Sequence, residues 1–588
     1  MKKSTVKKSN PVNQKKSLSP KVETLRNQPI PVADTLKSPR KWLRILLPAL
    51  LLVWLAYALI DGAFENSVTV DELAHLPAGL VYWQTGDFSV YHHNPPLLKL
   101  MAAAPLFAAG IKAPEHGYNG NRWELGYLFQ QSLGESYHRT FLQARMVIAS
   151  LTLLLALLLF YVTHHTLGWE AGLVALSLFS FNPLVLAHGA LVTTDAGFAL
   201  AFFTTCVIGV YFFRRPTWKM SLMLGVMLGV ALLTKFTALL LLPILILTAL
   251  MLPWLTSKLN ETDKYGWFQL SAGQRWLRLM ISLLIAIIVL DAGYLFKGVG
   301  QPISSYLLSH PLLHTISSSA IGSLPSPLPA EYVMGFDDQF VESRSGRLFV
   351  YLFGQITSKG WWYYYPLALF LKLPIMFHIL LCALLVAIVM RKIPMSLFMI
   401  GSLAVPLFSL IMFIIFTNID IGVRYLLFLM PFACIAIAHL AKMKLKKRMQ
   451  EVLFSVCLLL YAGSVIVCHS NYIAYFSEFI GGPAKGHHYL ADSNLDWGQD
   501  LLRLKSFMQE NDIPTVAMSH FGPVDPSVYG IKYTSINDPA GPEMVVISVN
   551  HLLGIDPGAE IVGVQRYRYR MPIATVGYSL WVFNRIKE

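Results

Sequence analysis

SVTVDELAHLPAGLVYWQTGDFSVYHHNPPLLKL, residues 67–100, sets two adjacent carboxylates, Asp71 and Glu72, ahead of His75 and a His-His-Asn-Pro-Pro cluster. It follows at once on the first long apolar run of the chain, 43–62, which has the roughly 20 residues needed to cross a bilayer. Ionisable groups at the edge of lipid are costly, so their position there carries information. The rest of the chain agrees with a membrane setting. Of its 588 residues 55% are hydrophobic and 14% charged, and the mean hydropathy is +0.52. A soluble protein would carry about 25% charged residues.

Further apolar runs place spans near 43–62, 144–164, 170–188, 195–213, 218–234, 237–255, 277–295, 364–390, 395–416, 422–440 and 450–469, eleven in all. Charge orients them. Counted from a cytoplasmic N-terminus, the inner loops include RRPTWK (214–219), RKIP (391–394) and AKMKLKKRMQ (441–450). The outer loops include DELAH (71–75), TTDAG (193–197) and NIDIG (418–422), so basic loops lie inside. The net charge of +14 is no nucleic-acid signal, because the first 44 residues hold twelve Lys/Arg against two acids. Residues 1–42 read as a disordered, basic cytosolic tail. The run 43–62 reads as a signal anchor, since no small-residue cleavage site follows it. Five cysteines fall in or at the ends of apolar runs without metal-ligand spacing.

From about residue 470 the composition changes. Turn motifs separate strand-like runs, TVAMSHF (515–521), MVVISVN (544–550) and ATVGYSLWVF (574–583), from one helical run, WGQDLLRLKSFMQEN (497–511). The expectation is a mainly α, polytopic membrane protein. It has a membrane module over 43–469, outer loops 63–143 and 296–363, and a small extracytoplasmic α/β domain over 470–588. No internal repeat is evident.

The polar residues of the membrane module gather at the outer face. Asp71, Glu72, His75, His92, His93 and Lys99 lie in the first outer loop, and Asp195 opens the fourth span. Lys235 sits between two apolar runs, and Lys372 and Arg424 lie at outer span ends. Each has a plain structural reading. Thr69-x-x-Glu72 is a capping box, and acids in a first turn suit the helix dipole. Asp195 after Thr193-Thr194 is a good helix start. The cations can snorkel, and the Trp/Tyr cluster 361–365 suits an interfacial aromatic belt. Independent caps, however, need not share one membrane face. A carboxylate near apolar surface can serve as general base, and a cation at headgroup depth can hold a lipid phosphate. Glycosyl transfer from a lipid-phosphate sugar needs both, and no nucleotide-binding glycine motif is present.

The order of motifs resembles a known family. DE followed by NPPLLK, then FNPLVLAHGALVTTDAGFALAFF (181–203), LLTKFTALLLLP (232–243) and GVRYLLFLMPF (422–432), is similar to the GT-C glycosyltransferases, in the protein O-mannosyltransferase and lipid A aminoarabinose transferase group. The resemblance covers roughly residues 43–440. It implies a GT-C-like bundle, a polyprenyl-phosphate-linked hexose or pentose donor, and a protein, lipid or glycan acceptor on the outer side of the cell membrane. It implies Asp71 as base, with Glu72 and Asp195 orienting acceptor or sugar. Lys235, Lys99 and Arg424 are the implied donor-phosphate ligands. His75, His93, Asn94 and Lys372 are further substrate-binding candidates.

The string HHYLADSNLDWGQDLLRLKSFMQ (487–509) resembles bacterial members of this group with undefined acceptors. Its Asp492, Asn494 and Asp496 read as helix-capping residues, since the calcium-loop pattern is not met. No metal is assigned as essential. A divalent cation held by His75, His92 and His93 near Glu72 is the open alternative. Three other readings compete: a polytopic lipid or solute transporter or flippase, a scaffold whose outer domain binds a partner, and a transferase using a lipid diphosphate donor. A transporter usually shows repeated halves and broken helices at midplane, which this chain does not suggest.

Overall fold

The computed structural model describes residues 42–344, 349–443, 447–556, 558 and 561–586. The tail expected over 1–42 lies, apart from Trp42, outside the described residues. The chain divides into two compact units, 1–49 and 50–588, and of the first only the opening of the first helix is described.

Every expected span carries helix. Among the described residues, eight helical segments are long and apolar enough to cross a membrane: Leu43–Glu65, Arg122–Leu167, Asp195–Arg214, Phe236–Leu259, Ala272–Gly293, Leu397–Phe416, Val423–Lys442 and Arg448–Ile466. The expected span 364–390 is instead a pair, Tyr364–Lys372 and Ile375–Val389, bent by 115°. Pro374 stands at the bend, where it cannot donate to the preceding turn. Expected spans 170–188 and 218–234 hold shorter apolar helices, Trp169–Ser180 and Trp218–Leu232. The first of these stops because Asn182 starts a new helix, Pro183–His188: its side-chain oxygen accepts from the amides of Leu184 and Val185, with proline in the first turn.

In chain order we label α1 (Leu43–Glu65), α2 (Val70–Thr85), α3 (Leu97–Ala108), α4 (Arg122–Leu133), α5 (Tyr137–Leu167), α6 (Trp169–Ser180), α7 (Pro183–His188), α8 (Asp195–Arg214), α9 (Trp218–Leu232), α10 (Leu241–Leu259) and α11 (Ala272–Gly293). Helices α5 and α6, and α9 and α11, form close pairs. In the second pair Gly225 and Gly229 face α11. A β-carbon on Gly225 would lie 2.5 Å from the Ser282 carbonyl oxygen, and one on Gly229 would lie 2.6 Å from Val289. Small residues four apart thus let two apolar helices touch along their backbones, the usual means of association where lipid supplies no hydrophobic drive.

Two long connections leave the bundle. The first carries α2, α3 and α4. The second carries the helix Ala330–Arg344 and an antiparallel hairpin, β1 (Val350–Leu352) with β2 (Gln355–Thr357). The C-terminal part holds β3 (Val516–Ser519), β4 (Tyr533–Ser535), β5 (Met544–Ser548), β6 (Ala574–Val576) and β7 (Leu580–Asn584). They form a five-stranded sheet in the order β4-β3-β5-β7-β6, with β3 parallel to β4 and β5, and β7 antiparallel to β5 and β6. The three expected strand runs are there, the last as a hairpin, and β4 joins them. One continuous buried cluster contains Leu73, Leu76 and Leu80 of α2, Phe129 of α4, and Leu504, Met518 and Val546 of the C-terminal part. Burying each such side chain is worth roughly 1.5–3 kcal/mol. The sheet is therefore packed onto the first connection rather than tethered beside it.

Candidate active site

Glu72 and Asp71 are neighbours with opposite surroundings. Glu72 lies on the inward face of the first turn of α2 and is fully buried. Its Oε2 accepts from the Thr69 amide (2.9 Å), the Thr69 hydroxyl (3.0 Å) and Arg145 (2.6 Å). Its Oε1 accepts from Arg145 Nε (2.9 Å) and the Val192 amide (2.8 Å). Arg145, on α5, spends its remaining donors on the carbonyls of Ala63 (2.7 Å), Asn66 (2.7 Å) and Ser67 (2.9 Å). Burial pushes the Glu72 carboxyl up, but the guanidinium and the other donors more than reverse this, and it settles below the usual carboxylate range. Glu72 is thus a saturated strut joining the 63–72 turn to α5 and to Val192.

Asp71 points the other way, with 23% of its side chain exposed, and its Oδ2 lies 2.9 Å from Arg424. Arg424 also reaches Asp195 Oδ2 at 3.3 Å, and Asp195 Oδ1 meets Lys235 Nζ at 2.6 Å. The four groups come from four places in the chain: the first turn of α2, the start of α8, the break between α9 and α10, and the start of Val423–Lys442. They form a chain of alternating sign, Asp71–Arg424–Asp195–Lys235. Three of its members are nearly sealed and Asp71 is open. Charges this deep persist only when paired. Aromatic faces line the cations: Tyr425 lies 4.5 Å from Lys235 Nζ, and Arg424 lies 4.2 Å from Trp497 and 4.7 Å from Tyr425.

Two buried polar atoms beside this chain have no hydrogen-bond partner among the described residues, Arg424 Nε and His188 Nδ1. Native interiors satisfy nearly all such atoms, so both retain unused hydrogen-bonding capacity beside the charge chain. From Lys235 a cavity of about 290 Å³ runs between Phe236, Leu240, Phe336, Phe340, Met412 and Phe416. It is a mainly apolar slot whose lining includes one cation, Lys235.

Other candidates named from the sequence do not join this chain. Lys99 donates to the carbonyls of Tyr91 (2.8 Å) and Asn94 (2.6 Å) beneath the Tyr91 ring. Lys372 donates to the carbonyls of Ile473 (2.8 Å) and Asn494 (2.6 Å). His75 donates from Nδ1 to the Val192 carbonyl (3.0 Å) and pairs through Nε2 with the Tyr91 hydroxyl (3.1 Å). Burial pushes its pKa down to about 4, so it is neutral. His93 lies between Arg122 (2.9 Å) and Glu342 (3.3 Å). Asn94 Oδ1 is buried and unpartnered among the described residues. Tyr364 and Tyr365 are buried rather than interfacial, bonded to Asn494 and to the Ile419 carbonyl.

The histidine cluster also differs from the grouping of His75, His92 and His93 with Glu72. His75 and Glu72 are fully engaged elsewhere. His92, His93 and Asp338 instead bring ligand atoms within 4.8 Å of one another, and these could hold a divalent cation. His92 lies 3.1 Å from Glu331 and 2.5 Å from Asp338. Burial pulls its pKa down, but the two carboxylates outweigh this and raise it.

Asp492, Asn494 and Asp496 cap no α-helix; the next one starts only at Leu501. Asn494 Oδ1 accepts from the Val423 amide (3.0 Å) and its Nδ2 donates to Tyr364 (2.8 Å). Asp496 accepts from the Gly498 amide and from the Ser548 hydroxyl at the end of β5. Burial pushes the Asp496 carboxyl up to about 7. A folded value above the unfolded one means that folding favours the protonated form. The stability this group contributes is present below pH 4 and lost as pH rises to 7, by at most about 1.4 kcal/mol per pH unit. In a thermal melt series, Asp496→Asn should gain on the wild type between pH 4.5 and 7 and run parallel to it above. A constant offset would show that Asp496 is charged throughout.

Four contributors were not singled out in the sequence: Arg145, His188, Tyr425 and Trp497. Arg145 had a signal, an arginine one residue inside the expected span 144–164, where a charge demands a partner. His188 and Tyr425 stand within quoted motifs but look like ordinary apolar-helix residues.

Residues 132–290 match the family model described as dolichyl-phosphate-mannose-protein mannosyltransferase. A comparison with curated proteins returned no match. Among solved structures, ArnT from Cupriavidus metallidurans bound to undecaprenyl phosphate is similar at 14% identity and TM-score 0.46, over 93% of this chain and 98% of that one. The oligosaccharyltransferase from Archaeoglobus fulgidus, in complex with Zn and sulfate, is similar at 10% identity and TM-score 0.40, over 88% and 71%. The family match spans α5 to α11 and takes in Arg145, His188, Asp195 and Lys235, so this stretch of the chain is similar to that glycosyltransferase family.

Proposed function

We propose that the protein moves a sugar from a polyprenyl-phosphate donor to an acceptor at the outer face of the cell membrane. The observation that carries this reading is the charge chain Asp71–Arg424–Asp195–Lys235 ending on an apolar slot. A lipid monophosphate has both halves of that chemistry: a hydrocarbon chain for Phe236, Leu240 and Met412, and an anion for Lys235. The matched family's description, which names a dolichyl-phosphate sugar, points the same way.

In this reading the acceptor hydroxyl or amine approaches Asp71, the one open carboxylate of the chain. Its lone pair attacks the anomeric carbon, and the bond from that carbon to the phosphate oxygen breaks. The acceptor proton passes to Asp71, and the lipid phosphate leaves with the bonding pair. Lys235, with Arg424 behind it, takes up the negative charge that develops on the leaving phosphate. Asp195 holds both cations apart and in place. Glu72 acts one step removed, by fixing the turn that presents Asp71. The N-terminus then lies in the cytoplasm and residues 470–588 lie outside, by the charge of the loops.

The test is donor turnover. Purified protein would be given synthetic glycosyl-phosphoryl-undecaprenols, mannosyl and aminoarabinosyl among them, with host-cell membranes as acceptor source. Release of undecaprenyl phosphate from at least one donor, abolished in Asp195→Asn, is expected. A folded wild type that releases none and binds no undecaprenyl phosphate would overturn the reading and return weight to a transporter.

A further inference from the structure

Asp71 and Arg424 are over 350 residues apart in sequence and sit on different connections, yet their pairing must be held to a fraction of an ångström for a base to work. Each is preceded by a turn whose backbone is tied to the same third segment, 493–501. On one side the Val70 amide donates to the Trp497 carbonyl (3.2 Å) and the Ser67 amide to the Gln499 carbonyl (2.9 Å). The Ser67 hydroxyl donates to the Gly498 carbonyl (2.7 Å) and accepts from the Leu501 amide (3.1 Å). On the other side the Val423 amide donates to Asn494 (3.0 Å), and the Ser493 hydroxyl donates to the Ile421 carbonyl (2.7 Å). Gly422 has no room for a side chain, since a β-carbon there would meet Ser493 Oγ at 2.1 Å.

Trp497 stands at the centre of this segment. It is 2% exposed, its ring lies 4.2 Å from the Arg424 guanidinium, and its edge meets His188 at a centroid distance of 5.8 Å. Its own carbonyl holds the residue just before Asp71. One residue therefore bears on both members of the pair, directly by its ring on the cation and indirectly by its carbonyl on Val70, the residue before the base. Arg424 Nε has no hydrogen-bond partner among the described residues, so ring contacts restrain that edge of the guanidinium. A planar guanidinium stacks well on such a face.

We propose that Trp497 is a positioning residue of the transferase centre, which makes the C-terminal part of the chain a wall of the active site and not an appended module. This rests on the transferase reading above. Trp497 touches no reacting atom; it sets the angle at which Arg424 meets Asp71 and the depth at which Asp71 stands.

Two kinds of variant separate ring from backbone. Trp497→Phe keeps an aromatic face, and Trp497→Leu keeps apolar bulk without one. Val70→Pro deletes the amide that bonds to the Trp497 carbonyl; Val70 is the first residue of α2, where proline is well tolerated, and Thr69 before it is already extended. With mannosyl-phosphoryl-undecaprenol as probe and host-cell membranes as acceptor source, Trp497→Phe should stay within about threefold of the wild-type kcat. Trp497→Leu and Val70→Pro should each lose tenfold or more in kcat with KM for the probe within about threefold. Hydrogen exchange in peptides covering 67–73 should rise in Trp497→Leu and Val70→Pro but not in Trp497→Phe. The proposal is overturned if folded Trp497→Leu matches Trp497→Phe, or if Val70→Pro keeps the wild-type kcat. If the wild type turns over neither this probe nor the other glycosyl-phosphoryl-undecaprenols and binds no undecaprenyl phosphate, the transferase reading fails; the exchange pattern alone then decides whether Trp497 orders the turn before Asp71.

Discussion

Asp71→Asn is expected to lower kcat by about 10³, within the 10²–10⁴ range of a lost general base, while the protein stays folded and still binds undecaprenyl phosphate. Glu72→Gln, one residue along, is expected to fail in the opposite way. It leaves the Arg145 charge sealed beside a neutral amide, which costs about 3–5 kcal/mol, and Arg145 holds three backbone carbonyls of the 63–67 turn. The variant should melt far below the wild type, and any folded fraction should retain turnover per molecule. Paired thermal melts and donor-turnover assays would show the crossover. A stable but inactive Glu72→Gln would make Glu72 the base and Asp71 its support.

Lys235→Met should weaken undecaprenyl phosphate binding by about 10² or more, the scale for removing one partner of a buried charge pair. Methionine fills the slot but offers no charge. Asp195 keeps Arg424 and the Thr193 hydroxyl, so the centre remains neutralised in part and the fold should hold. Native mass spectrometry of wild type and variant, titrated with the lipid, reads the difference directly. Binding equal to the wild type would confine Lys235 to neutralising Asp195.

These two predictions show what was legible in the sequence. The membrane module was, because apolar length and loop charge are properties of local sequence. So was the convergence of Asp71, Asp195, Lys235 and Arg424, since each ionisable group at a span end had to find a partner. The division of labour between Asp71 and Glu72 was not. Both readings of Glu72, helix cap and substrate-orienting carboxylate, fit Thr-x-x-Glu equally, and its partner Arg145 lies on α5, 73 positions away. The partners of Lys99 and Lys372 were not legible for a related reason. A lysine near an interface looks the same in sequence whether it faces a ligand or spends its protons on loop carbonyls, as both do here. Asp492 to Asp496 looked like a local cap because their true partners, Val423, Tyr364 and Ser548, are distant in the chain.

The buried cluster shared by α2, α4 and the C-terminal sheet has a consequence for biosynthesis. The ribosome makes Asp71 more than 400 residues before Trp497. At 5–20 residues per second, that interval is roughly 20–85 s. Throughout it the membrane helices are inserted while the hydrophobic side of α2 waits for the strands that will cover it. The centre is completed only when the last part of the chain has been made and has folded onto α2, so a truncated or stalled product carries all four charged residues and still lacks the wall that holds them in register.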